Sequence, residues 1–357
     1  MFKERKEPLM IAEISCNHGQ NYNTAQKLIV EAKKNGADAV KFQAYTPDTM
    51  TINCDNDHFK IKHPKWGGQT LYELYNKSYA PWSWFPSLKK HAEEHGLIFL
   101  CTAFDKTSVD MLESLNICAH KISSFEMVDL DLIRYVASTK KPLMISTGMA
   151  SVSDIDAAVD EAVHNENELL LFKCVSSYPA DPEEMNINII EDMKTRFEDS
   201  AGPVDWHREK AEYSVGLSDH SLGCGAAIAA SLMGVKAIEK HLILSRYMNT
   251  SDNFFSMQPE EFKYMVDNVK IALQSLGKVH YGCTKNEAKS SIFRRSLFVV
   301  KDIKKGDRFT RSHIRCIRPS NGLAPMYLDD IIDTKATIDI AAGTPLQWEH
   351  SGKWAYA

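Results

Sequence analysis

The stretch SVGLSDHSLGCGAAIAASLMGVKAIEKHLIL, residues 214–244, decides how the rest of the chain is read. Residues 214–218 and 237–242 have the short, apolar pattern of strands, and 224–233 between them has that of a helix. Each strand ends in a polar pair spaced by two, Ser218 with His220 and Glu239 with His241, which puts each pair on one face of its strand. Outward from this unit the same alternation recurs, with strands expected at 9–16, 39–45, 98–103, 119–123, 143–147 and 169–176. Between the first two, Ala25, Leu28, Ile29 and Ala32 recur at helical spacing and Gly36 follows as a stop. Eight strands, each followed by a helix, predict a closed (β/α)₈ TIM barrel.

The second connection, 46–95, is too long for one helix and predicts an insertion over the barrel mouth. A last amphipathic helix over 259–276, with Phe262, Met265, Val269 and Ala272 in register, closes the barrel. The expected division is a barrel domain at 1–280, a linker at 281–293 and a small domain at 294–357. So short a final segment has little room for a core of its own.

Of 357 residues, 44% are hydrophobic and 25% charged, the balance of a folded soluble protein. The 47 acids and 42 bases are mixed along the chain, so no basic stripe offers itself to nucleic acid. Eight cysteines stand singly without a Cys-x-x-Cys pair, and no segment reads as a signal or membrane span; the expectation is a cytoplasmic protein. No P-loop or dinucleotide fingerprint is present.

In such a barrel the carboxyl ends of the strands face the active site. There the sequence places Glu13, Lys41 with Gln43, Thr102, Lys121 with Ser124, Ser146, Ser176 with Tyr178, Ser218 with His220, and Glu239 with His241. Taken singly, a strand lysine pairs with a neighbouring carboxylate and a serine bonds to backbone. As a ring they suggest more, because burying Lys41 and Lys121 demands compensation and an anionic ligand held with Ser124, Ser146 and Ser218 supplies it. His220 and His241, on consecutive strands, suit a shared divalent cation with open positions for water and substrate oxygen, Mn²⁺ or Mg²⁺ rather than a closed zinc site. His18, His58, His63, His91 and His95 read as solvated loop or helix-surface residues, and Trp66, Trp82 and Trp84 as packing of the insertion, with covering a sugar the alternative.

At these strand ends the chain resembles the sialic acid synthase (nonulosonic acid synthase) family. The segments are IAEISCNHG (11–19), GADAVKFQ (36–43), KISSFE (121–126), STGMA (146–150), KCVSSYPA (173–180), VGLSDHS (215–221) and IEKHL (238–242). The tail, with RRSLFVVKDIKKGD and IRPSNGL, resembles the family's antifreeze-like (SAF, β-clip type) domain. YTPDT, TLYELYNKSYAPWSW and Phe125 look like the pseudaminic branch rather than the N-acetylneuraminate branch.

The resemblance implies a transferase that condenses phosphoenolpyruvate with an amino sugar. It implies that Lys41, Lys121, Ser124, Ser146, Ser176 and Ser218 hold phosphoenolpyruvate and that His220 and His241 hold Mn²⁺, with Mg²⁺ or Co²⁺ as alternatives. Glu13, Gln43, Tyr178 and Asp252 match residues around the sugar and metal-bound water, and Glu126 an acid near the enol carbon. Arg318 matches an arginine that reaches a second subunit's site, which implies a domain-swapped homodimer. The alternatives are an N-acetylneuraminate or legionaminic acid synthase, a metal-dependent barrel hydrolase, or a carbohydrate-binding protein without activity. The charged stretch 197–213 is longer than the resemblance leads one to expect and has no assigned role.

Overall fold

The computed structural model of the chain describes residues 1–163, 167–198 and 212–353. Residues 199–211 of the charged stretch before the seventh strand lie outside them. The chain divides into two compact units, Met1–Gly277 and Lys278–Ala357.

In the first unit, eight parallel strands close a barrel in chain order: β1 (Leu9–Glu13), β2 (Ala39–Ala44), β3 (Ile98–Ala103), β4 (His120–Ile122), β5 (Leu143–Ser146), β6 (Leu169–Cys174), β7 (Tyr213–Asp219) and β8 (Ala237–His241). The closing pair sets Glu13 opposite His241 on β8, and Glu13 also opposes Lys41 on β2. The strands read as nearly continuous apolar runs because both faces are covered. Ile11, Ala39, Leu100, Met144 and Phe172 fill the interior, with Phe2 packed among them. The alternate residues Met10, Val40 and Phe42 face the helices with Leu28, Phe85 and Phe262.

Six of the expected strands overrun the observed ones at their carboxyl ends, whereas β3 matches and β7 runs one residue further than expected. Ser15 takes a positive φ of 48° and Asn17 N–H closes a turn on the Ile14 carbonyl, so β1 ends at Glu13 rather than at residue 16. The final helix spans Pro259–Leu276 as predicted. The insertion forms short helices at Pro47–Met50 and Leu71–Ser78, begun by capping boxes on Thr46 and Thr70, before the helix Phe85–Glu94 rejoins the barrel wall.

The second unit pairs β9 (Ser296–Val299) antiparallel with β10 (Ile314–Ile317). Leu297, Val299, Phe309, Ile314, Ile331 and Leu346 belong to a buried core that is its own, more than its length suggested. Among the described residues no helix is long and apolar enough to cross a membrane, and the eight cysteines are unpaired.

Candidate active site

A cavity of about 310 Å³ opens at the carboxyl ends of the strands. Its lining includes Glu13, Lys41, Gln43, Thr102, Lys121, Ser124, Ser146, Tyr178, Ser218, His220, Glu239, His241 and Asp252, so most of the ring expected from the sequence is brought together. Period-two alternation explains why. With Ile11 and Ala39 inward near the bottom, Glu13 and Lys41 must be inward one step higher.

The two lysines sit in different company. Lys41 Nζ lies 2.7 Å from Glu13 Oε2 and 3.5 Å from Glu239 Oε1, and donates to Thr102 Oγ1 at 2.8 Å. Burial alone would depress its pKa, but the Glu13 and Glu239 carboxylates outweigh burial and push it up to about 12. Gln43 Nε2 donates to the other Glu13 oxygen at 2.9 Å. Lys121 is 2% exposed and makes no ion pair among the described residues. It donates to the Ile122 carbonyl at 3.0 Å and to Ser146 Oγ, and lies over the Phe172 ring. Burial pulls it down to about 8, Glu239 offsetting part of this and Lys41 adding to it. The expectation that both lysines await an external anion is therefore corrected. Lys41 already has two carboxylates, and the argument for an anion rests on Lys121.

The hydroxyls surround that end of the cavity. Ser124 Oγ accepts from Gly148 N at 3.0 Å, and Ser218 Oγ donates to Glu239 Oε1 at 3.3 Å. Ser176 is not in the lining. Its hydroxyl is buried without a partner behind Gly148, where a Cβ on that glycine would fall 2.2 Å from it. Glu126 is likewise behind the wall, accepting from Ser123 Oγ, which does line the cavity; burial raises its carboxyl above the usual range. Arg318 is exposed on the second unit, one residue beyond β10.

On the other side, His220 and His241 place their rings 5.3 Å apart. His220 Nδ1 is 2.8 Å from the Val175 carbonyl, which fixes the proton there and leaves Nε2 with its lone pair. His241 Nδ1 is buried without a hydrogen-bond partner, 3.5 Å from Asp252 Oδ2. Asp252 also accepts from Ser15 Oγ at 2.6 Å. Among the described residues no three His, Cys, Asp or Glu side chains gather as a complete metal cage. Two imidazoles, one nitrogen orphaned, fit a divalent ion whose remaining positions go to water and substrate.

Some lining residues were not anticipated. Tyr45 and Cys174 lie at or just beyond strand ends, where continuing the alternation by one step finds them, and Ser15 and Cys16 come from the turn after β1. Met50, Ile61, Trp66, Leu71, Leu74 and Tyr75 come from the insertion and give the cavity an apolar roof with no periodic signal to announce it. Trp66 Nε1 donates to the Ser251 carbonyl at 2.8 Å, beside Asp252, so Trp66 covers the cavity while Trp82 and Trp84 pack on the core. His18 is buried edge-on against Trp84 rather than solvated.

Fold and site together define a (β/α)₈-barrel enzyme with a buried, unpaired ammonium facing two imidazoles across one cleft. Residues 28–281 match the NeuB family and residues 294–350 the SAF domain; the chain belongs to the NeuB family. It is 37% identical to a pseudaminic acid synthase of Campylobacter jejuni, over 97% of each chain. It is 30% identical to the N,N'-diacetyllegionaminic acid synthase of Legionella pneumophila, over 96% of this chain and 94% of that one. Among solved structures, a spore coat polysaccharide biosynthesis protein of Bacillus subtilis superposes with a TM-score of 0.63 at 30% identity, covering 97% of this chain and 96% of that one.

Proposed function

We propose that this enzyme is a pseudaminic acid synthase. It condenses phosphoenolpyruvate with the open-chain form of 2,4-diacetamido-2,4,6-trideoxy-β-L-altropyranose, forming a nine-carbon acid and releasing phosphate. The observation that carries the proposal is Lys121, a buried ammonium without a carboxylate, opening on the same cavity as His220 and His241. The branch rests on the greater likeness to the Campylobacter synthase than to the Legionella one.

Lys121, Ser124, Ser146 and Ser218 hold the anionic groups of phosphoenolpyruvate, and Lys41 sets the charge of that floor through its carboxylates. Gln43, Tyr178 and Asp252 meet the sugar. His220 and His241 hold the cation, with Mn²⁺ the first choice and Mg²⁺ or Co²⁺ the alternatives. When bound, such an ion supplies Lewis-acid polarisation of a carbonyl oxygen. The enol carbon forms the new carbon–carbon bond to the sugar aldehyde, and water adds to the carbon that carried phosphate. The carbon–oxygen bond to phosphate then breaks, leaving the water oxygen on the product. Asp252 lines the cavity and Glu126 does not, which supports Asp252 as the acid that touches that water, with Glu126 acting through Ser123. Arg318 of a second copy of the chain completes the acceptor site in a homodimer.

The test combines purified protein, phosphoenolpyruvate and three acceptors: the diacetamido trideoxy sugar, its legionaminic counterpart and N-acetylmannosamine. Phosphate release and product mass are read with and without a chelator. The first sugar should be preferred at least tenfold, and chelation should stop turnover until Mn²⁺ is restored. Faster turnover of N-acetylmannosamine reassigns the branch, and no phosphate release with any sugar overturns the synthase reading.

A further inference from the structure

The cavity uses the inward residues of β7 and β8. The residues between them point the other way and have no part in the lining, yet they carry a buried ion pair. Asp219 and Lys240 are opposed in the β7–β8 register, with side chains 0% and 2% exposed, and Lys240 Nζ lies 2.8 Å from Asp219 Oδ2. Lys240 also donates to the Ser221 carbonyl. The other Asp219 oxygen accepts from Ser221 N at 2.8 Å and from Ser221 Oγ at 2.6 Å.

We propose that the Asp219–Lys240 pair positions His220 and His241 to share one divalent cation. The inference rests on the metal reading above and extends it to residues that no ligand touches.

The geometry argues for it in three steps. His220 lies between Asp219 and Ser221, and both are tied to Lys240, the neighbour of His241. One ammonium therefore joins the backbone on both sides of one imidazole to the backbone beside the other. The remaining restraints act on the same two residues. Ala180 N donates to the His220 carbonyl at 3.1 Å, and Met257 N to the His241 carbonyl at 2.9 Å. With both backbones and the His220 ring held, the separation of the two imidazoles is set before any ion arrives, as a shared site requires.

Stability alone is a poor explanation for the pair. Well-packed apolar residues in place of a buried ion pair are often neutral or stabilising, so a pair kept here points to placement. Its position also fits a positioning role, since it neither lines the cavity nor contacts Lys121.

The test uses the full chain and two variants, Asp219→Leu/Lys240→Met, which removes both charges, and Asp219→Asn, which keeps an acceptor for Ser221. Free Mn²⁺ is measured by electron paramagnetic resonance without substrate, at a temperature where circular dichroism shows the variant in hand to be folded. Phosphoenolpyruvate binding is measured by calorimetry without metal. The expected result is a loss of Mn²⁺ affinity of about tenfold or more, the size seen when supports behind metal ligands are removed, with phosphoenolpyruvate affinity within about twofold of wild type. Whichever variant is folded decides. Mn²⁺ binding within twofold of wild type, or an equal loss of both ligands, overturns the positioning role. Wild-type protein that turns over without binding Mn²⁺ overturns the metal reading, and this inference with it.

Discussion

Replacing Lys41 and Lys121 in turn by methionine should damage the protein in opposite ways. Lys41 separates two carboxylates that are themselves 1% and 5% exposed, and Lys41→Met leaves Glu13 and Glu239 facing one another without their cation. Breaking a buried pair by removing one partner costs about 3–5 kcal/mol. At about 2–4 °C per kcal/mol for a large domain, the barrel's melting temperature should fall by roughly 6–20 °C. Lys121 has no carboxylate to abandon, and its pKa of about 8 records the strain of holding a charge there. Lys121→Met relieves that strain, so the melting temperature should hold or rise.

Ligand affinity should follow the reverse order. Losing a charged donor to an anion removes about 1.5–3 kcal/mol, so Lys121→Met should weaken phosphoenolpyruvate roughly 10- to 150-fold. Scanning calorimetry gives the first quantity and titration calorimetry of phosphoenolpyruvate the second. A Lys41→Met protein as stable as wild type, or a Lys121→Met protein that binds phosphoenolpyruvate normally, would refute the division of labour between the two lysines.

Lys121 also predicts a pH dependence. In the free protein it loses its proton near pH 8, whereas a bound anion keeps it charged, so binding above pH 8 takes up a proton. The KM for phosphoenolpyruvate should be flat below pH 8 and rise up to tenfold per unit above it; a flat profile to pH 9.5 contradicts the assignment. Gly148→Ala drives a Cβ to 2.8 Å from Ser124 Oγ as well as against Ser176, and overpacking of about 1–3 kcal/mol should raise the same KM roughly 5- to 150-fold in steady-state assays. Unchanged kinetics would mean the hydroxyls move aside freely. Arg318→Ala should raise the acceptor's KM more than that of phosphoenolpyruvate, and mixing it with His241→Ala protein should restore activity through hybrid dimers. The reverse KM pattern removes Arg318 from the site.

The barrel was legible because eight apolar runs separated by helical patterns have few other solutions, and the strand-end residues followed from alternation. What the sequence concealed was pairing across the closure. Glu239 reaches Lys41 only because β8 meets β1, a contact between residues nearly two hundred apart in the chain. Ser176 has the inward parity of Cys174 two residues earlier, but β6 ends at Cys174 and the chain turns behind Gly148. The roof was hidden for a different reason. Leu71, Leu74 and Trp66 belong to short helices and loops whose apolar residues serve a cavity rather than a core, and no period distinguishes the two uses.

On the proposed reading, the order of strands around the barrel sets where the two substrates would meet in one cleft. The ammonium without a carboxylate is on β4 and its hydroxyl partner on β5, whereas the imidazoles close β7 and β8 and the carboxylates lie on β8 and β1. In a ring of eight, β4 stands opposite β8. An anion drawn to Lys121 and a carbonyl drawn toward His220 and His241 therefore approach from opposite walls and meet between them, where a new bond has to form. Ser218, on β7 and donating to Glu239, lies at the border of the two walls, so on the proposed reading the anion's place and the ion's place adjoin where the new bond would form.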